Sequence, residues 1–172
     1  MSSSAVLTGR TLSDVVNNLI VLVVMSLTGL LVGWRIHTSV GEALAGFAVL
    51  IVFAYAFSWV MAFVGLLVPS PEVVNNASFI VIFPVTFLAN TFVPLNSLPG
   101  PLRVFAEWNP VSAVTAAART LFGNDGAIPA SASASDAWPL QHPVLYVLIW
   151  SVVIVAVFAP LASRQYRRAA SR

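Results

Sequence analysis

The sequence predicts an all-α, polytopic membrane protein, and three observations predict it. Of the 172 residues, 59% are hydrophobic and 8% charged, where a soluble domain carries about 25% charged residues. The charges are clumped, and the intervals between the clumps are long apolar runs with the length of membrane helices. Turn and capping residues (Pro69-Ser70-Pro71, Asn109-Pro110, Pro143) punctuate those runs. The expected architecture is a single transmembrane domain over 1–172, with four transmembrane helices plus short re-entrant or interfacial helices on the outer side.

The opening segment MSSSAVLTGRTLS is small and polar. It has the n-region of a signal peptide, but Leu19–Gly33 is too long for an h-region, and Ala43-Leu44-Ala45 lies too far beyond it for a cleavage site. Span one is expected at Val15–Trp34, about 30 Å at ~1.5 Å per residue, the thickness of the hydrocarbon core. Thr11-x-x-Asp14 resembles a capping box, with Asp14 at the positive end of the helix dipole. Gly29-x-x-x-Gly33 offers a helix-packing face, and Trp34 an interfacial ring.

A polar turn, Arg35–Glu42, leads to span two, Ala43–Val68. Ala54, Ser58 and Ala62 repeat at four-residue spacing as a second small-residue packing face. Tyr55 and Trp59 share a helix face, which suits core packing or contact with a substrate. Span three, Val73–Phe92, opens with Ser70-Pro71 as N-cap and N1. Its start, Glu72-Val73-Val74-Asn75-Asn76, echoes Asp14-Val15-Val16-Asn17-Asn18. The Asn pairs Asn17, Asn18, Asn75 and Asn76 are candidates for a cytoplasmic entrance, because polar residues at membrane depth face protein or water rather than lipid. Pro84 is expected to kink this span, with Asn90 and Thr91 on the outer side of the kink.

The stretch from Pro84 to Gly123 then breaks the pattern. It holds Pro94, Leu98, Pro99, Gly100 and Pro101, then a short amphipathic piece with Arg103 and Glu107 at i, i+4. Asn109 is a good N-cap and Pro110 a good N1 residue for a helix over Val111–Phe122, which Gly123 closes. That helix is small-residue-rich, carries Arg119, and is too short and charged to span. Residues 94–123 therefore read as outer re-entrant backbone. Residues 124–142, including SASASDAW, read as a flexible outer loop in which His142 has no second metal ligand nearby. Span four is Pro143–Ala162, and residues 163–172 form a tail with Arg164, Arg167, Arg168 and Arg172. Four spans put both termini on one side. The tail arginines beside a span end make that side cytoplasmic, in a plasma membrane with anionic lipid.

Several chemistries are missing from the sequence. There is no Cys and no Lys, so no thiolate nucleophile and no phosphate loop of the type G-x-x-x-x-G-K-[ST]. No H-E-x-x-H occurs, no metal site is expected, and no carboxylate pair sits within a span. No catalytic residues are assigned and no cofactor is expected in this chain, and an intramembrane enzyme lacks a nucleophile–base pair. Energy for uphill movement would have to enter through a partner.

The succession Pro84, Phe92-Val93-Pro94, Leu98-Pro99, Asn109-Pro110 and the Arg119 helix, flanked by Gly9–Asp14 and by the PSPEVVNNASF turn, closely resembles the permease subunit of type-2 ABC exporters. The branch is the one that includes daunorubicin/doxorubicin-resistance permeases. The resemblance runs over essentially the whole chain. It implies a permease that pairs with itself or a companion permease and with ABC ATP-binding subunits that hydrolyse the ATP. The implied substrates are amphipathic drugs or antibiotics, lipids or glycoconjugates. It also implies that Asn90, Pro94, Leu98, Pro99, Asn109, Pro110 and Arg119 belong to an outer re-entrant gate. Such permeases have six spans. Against that pattern the first two spans, and the amphipathic helix that docks on the ATPase, are expected to be missing, as in a fragment, a truncated gene, a wrongly assigned start or a split permease. The alternative to an exporter is a non-transporting fragment or assembly subunit that packs against a full-length permease.

Overall fold

A computed structural model describes residues 3–67, 71–89, 95–127 and 135–170. Every regular element among them is helical. The long helices are α1 (Ser3–Val32), α2 (Val40–Leu67), α3 (Pro71–Phe87) and α7 (Pro143–Ala170). Between α3 and α7 lie a 3-10 turn (Leu95–Ser97), α4 (Gly100–Trp108), α5 (Pro110–Phe122), a second 3-10 turn (Asp125–Ala127) and the single turn α6 (Trp138–Gln141).

Three of these helices are long and apolar enough to cross a membrane: Ser13–Val32 of α1, Val40–Leu67 of α2 and Pro143–Tyr166 of α7. The expected fourth, Val73–Phe92, is not reached. Helix α3 has 17 residues, about 26 Å of rise, and stops at Phe87. Pro84 has no N–H to give, and the Ala89 N–H turns back to the Thr86 carbonyl, tightening the last turn. Residues 90–94, including Asn90 and Pro94, lie outside the described residues.

The helix starts and stops also differ from the sequence reading. Since α1 begins at Ser3, Thr11 and Asp14 are inside the helix, and neither caps it. Its end is built by Gly33, at φ 106°. The Gly33 N–H reaches the Leu30 carbonyl and the Trp34 N–H the Gly29 carbonyl, a Schellman closure. The capping box lies instead at α2. Ser39 Oγ accepts from the Glu42 N–H, while Glu42 Oε2 accepts from the Ser39 N–H at 2.9 Å. The tail does not begin at residue 163 as a separate piece, because α7 continues as helix to Ala170 with Pro160 inside it.

The chain divides into two compact units. One comprises Met1–Arg35, Ile51–Asn76 and Ser151–Arg172; the other comprises Ile36–Leu50 and Ala77–Trp150. In the first, Phe63 packs edge-on against Phe158 at 5.7 Å, joining α2 to α7. The second holds α4 and α5, and its centre is made of small and medium residues that are fully buried: Leu95, Ala106, Ala113, Ala117 and Val147.

Candidate functional site

The region from Pro84 to Gly123 is assembled around Asn109. Its side chain is buried, with 2% of its surface exposed. The amide oxygen accepts from the Val111 N–H at 2.9 Å, capping α5, and Nδ2 donates to the Val85 carbonyl at 2.6 Å. The Val85 carbonyl is one of those that the tightened end of α3 leaves without an intrahelical partner. One side chain therefore joins the end of α3 to the start of α5, its amide serving as acceptor and donor at once. Pro110 follows at N1, half-buried, where its missing N–H costs nothing.

The far end of α5 is closed just as fully. Gly123, at φ 71°, donates to the Thr120 carbonyl, and Asn124 donates to that of Arg119. The remaining carbonyls are taken by the α1–α2 loop: the His37 N–H reaches Phe122 O at 2.9 Å, and Thr38 Oγ1 reaches Leu121 O at 2.6 Å. A Cβ at Gly123 would stand 3.0 Å from His37 Cβ and 3.0 Å from Thr38 Cγ2, so glycine is required by both conformation and space. The Phe122 ring sits on Phe47 at 5.0 Å and covers Gly46, where an added Cβ would come within 2.8 Å of it. Arg119 is half-buried in the last turns of α5. Burial pulls its guanidinium below the ordinary arginine value, and the charge of Asp125 opposes that shift. Asp125 also accepts from Thr120 Oγ1.

Helix α4 is tied at its own end to α7. The Tyr146 hydroxyl donates to the Trp108 carbonyl at 2.6 Å. The Tyr146 ring meets Trp108, Trp138 and Trp150 edge-on. On another side of α4, Glu107 Oε1 accepts from Arg103 Nε at 2.9 Å and from Ser135 Oγ at 2.9 Å. Leu98 closes the 3-10 turn onto Leu95, and Pro99 precedes α4 with its carbonyl accepting from Arg103. Of the proposed gate residues, Leu98, Pro99, Asn109, Pro110 and Arg119 thus fall within one compact unit.

The other predicted residues are less gathered. Asn17 and Asn76 are exposed and Asn18 is half-buried. Among the described residues no hydrogen bond joins Asn17 or Asn18 to Asn76, and the Asn75 side chain lies outside them. Gly29 is covered by the Trp34 ring of its own chain, 3.4 Å from the site of an added Cβ, and Gly33 is beyond the helix, so the two do not present one helical face. Ala54, Ser58 and Ala62 are half-buried along α2, and Ser58 Oγ donates to the Tyr55 carbonyl. The fully buried position of this stretch, Ala56, lies on the opposite side of α2 from that row.

Long apolar helices with a capped, proline-punctuated hairpin between them define an integral membrane protein of the polytopic α-helical class. The chain belongs to the ABC-2 type transporter family, whose profile matches residues 1–122. It is 34% identical over 163 residues to the daunorubicin resistance ABC transporter permease protein DrrB1 of Streptomyces coeruleorubidus, covering 95% of this chain and 53% of that one. It is 27% identical over 165 residues to the probable doxorubicin resistance ABC transporter permease protein DrrC of Mycobacterium tuberculosis, covering 96% and 55%. The chain thus spans about half the length of the curated relatives it matches. No solved structure matches it.

Proposed function

We propose that this chain forms part of the permease subunit of an ATP-driven exporter of amphipathic molecules in the plasma membrane, with its ATP bound and hydrolysed on a partner subunit. The observation that carries this reading is the closure of the α4–α5 junction and of the far end of α5 by protein groups. Asn109 serves both α3 and α5, His37 and Thr38 serve α5, and Tyr146 serves α4. Broken helix is tolerated at membrane depth only where its polar backbone is satisfied by protein or lines a cavity. A fixed but non-spanning element of this kind suits a gate at the mouth of a permeation path.

In this reading α1, α2, α3 and α7 all cross the bilayer, α3 as a short span, and both termini are cytoplasmic. The segment 94–123, which starts at Pro94, forms the outer gate together with Asn90. Asn17, Asn18, Asn75 and Asn76 line the cytoplasmic entrance. The Ala54, Ser58, Ala62 row takes a companion helix, in a second permease. The similarity to daunorubicin- and doxorubicin-resistance permeases supports daunorubicin- or doxorubicin-like substrates.

A second reading is a non-transporting subunit that packs against a full permease through the Ala54, Ser58, Ala62 row, half-buried along α2. One experiment separates the two. The chain is co-expressed with a candidate ABC ATP-binding subunit, purified through a tag on the chain, and assayed for ATP hydrolysis with and without doxorubicin. Co-purification with drug-stimulated hydrolysis is the expected result. Co-purification of a full-length permease instead, with no response to drug, sinks the exporter reading.

A further inference from the structure

We propose that the exposed apolar face of α4, with Trp138 beside it, is a lipid-contact surface that seats α4 in the bilayer interface at the end from which α7 starts. This deepens the permease reading and rests on its assignment of α7 as a span. At ~100° per residue, Leu102, Val104, Phe105 and Trp108 fall on one arc of α4, and they are 42%, 57%, 47% and 51% exposed. The opposite arc is used up. Ala106 is fully buried, and Arg103 and Glu107 form an ion pair that also holds Ser135. An amphipathic helix with one bulky apolar face and an ion pair on the other is suited to lie flat in the headgroup–acyl boundary.

Tyr146 identifies the occupant as lipid. Its hydroxyl fixes the Trp108 carbonyl, and it lies in the first turn of α7, about 5 Å of rise from the start of that helix. The apolar span Pro143–Tyr166 has 24 residues, about 36 Å, somewhat longer than the ~30 Å core. The first turn of α7 therefore sits at the boundary between acyl chains and headgroups, and α4 is tied to that level. Trp108 and Trp138 both contact the Tyr146 ring, and both are about half exposed. Indole rings concentrate at this depth, with one edge apolar and one N–H for the headgroup region.

The absence of cysteine makes single-site labelling clean. The whole chain is prepared as Val104→Cys, as Phe105→Cys and, for a loop control, as Asp136→Cys. Each variant is labelled with bimane and reconstituted in phosphatidylcholine–phosphatidylglycerol vesicles. Fluorescence is quenched with lipid carrying a nitroxide near the headgroup end of its acyl chain, and separately with iodide in the buffer. The lipid nitroxide should quench labels at 104 and 105 about threefold more than the label at 136, with the order reversed for iodide. Two results overturn the proposal: iodide quenching at 104 and 105 as strong as at 136, which means an aqueous face, or protection from both quenchers, which means a face covered by a second copy or another protein. Either would leave the exporter reading intact, since that stands on co-purification and drug-stimulated hydrolysis.

Discussion

Asn109 makes two demands that a single substitution can separate. Asn109→Ser keeps an oxygen for the Val111 N–H but abandons the Val85 carbonyl, a loss of about 1–3 kcal/mol for a buried group left unpaired. Asn109→Ala loses the cap as well, a further ~0.5–2 kcal/mol. Asn109→Asp keeps the cap but sets a carboxylate oxygen where Nδ2 now stands, 2.6 Å from the Val85 oxygen. It should be at least as damaging as alanine, since two acceptors face each other away from water. The expected order of thermal stability in detergent is wild type, Ser, then Ala and Asp together at the bottom. An aspartate variant as stable as wild type would remove the Asn109–Val85 tie from the account. The cap was legible in the sequence, because Asn-Pro ahead of a helical run is a local signal. The tie was not, because Val85 is 24 residues away and nothing in the alternation of residue types marks which carbonyl α3 will leave open. The same holds for Thr38, whose partner Leu121 lies 83 residues on, and for Tyr146 with Trp108. Ser39-x-x-Glu42 is different: it is a full capping-box signature, overshadowed by the apolar run behind it.

At the level of elements, α5 is a helix with two anchored ends, and its C-terminal anchor depends on a close approach to α2. Gly46 is buried beneath Phe122, with a virtual Cβ 2.8 Å from Cε1, 3.0 Å from Cζ and 3.3 Å from the Leu121 Cβ. The Phe122 ring cannot swing freely, because Phe47 packs on it. Gly46→Ala should therefore destabilise the protein by about 1–3 kcal/mol through overpacking. Phe122→Leu alone should also cost stability by thinning the contact. In the double variant the smaller side chain yields to the new methyl, so the two losses should sum to less than their separate values. Strict additivity in a thermal or denaturant titration would mean that α5 and α2 do not touch here. The sequence conveys the helices themselves but not this contact. A glycine inside a membrane run is common, and its role is fixed only by what the fold lays across it. The boundary of α3 was misread for a related reason. Apolar residues continue past Phe87, yet Pro84 and the tightened last turn end the helix there.

For the whole molecule the topology turns on the crossing by α3, and the ties within the α4–α5 unit bear on it directly. The α1–α2 loop is bonded to the end of α5, the end of α3 to its start, and the start of α7 to α4. Helix α5 has 13 residues, about 20 Å, too short to cross a ~30 Å core, which favours both its anchors on one side of a membrane. If α2 starts from that side and spans, Leu67 is on the other, and α3, starting at Pro71, has to return. The 26 Å or so of α3 falls a few ångströms short of the core, a mismatch costing only fractions of a kcal/mol per Å. The exposed row Phe79, Ile80, Phe83 and Phe87 is suited to lipid along its length. Four crossings would put the termini on one side, and the positive-inside rule would then make that side cytoplasmic, with Arg10 and the tail arginines set against Arg35, Arg103 and Arg119. Three crossings would put the termini on opposite sides. Activity reporters fused before Met1, after Ser133 and after Arg172 distinguish the two. Four crossings predict cytoplasmic, outer and cytoplasmic activity, in that order. A cytoplasmic signal at both Met1 and Ser133 with an outer one at Arg172 would mean that α3 does not cross, and that the hairpin it leads into lies on the inner face.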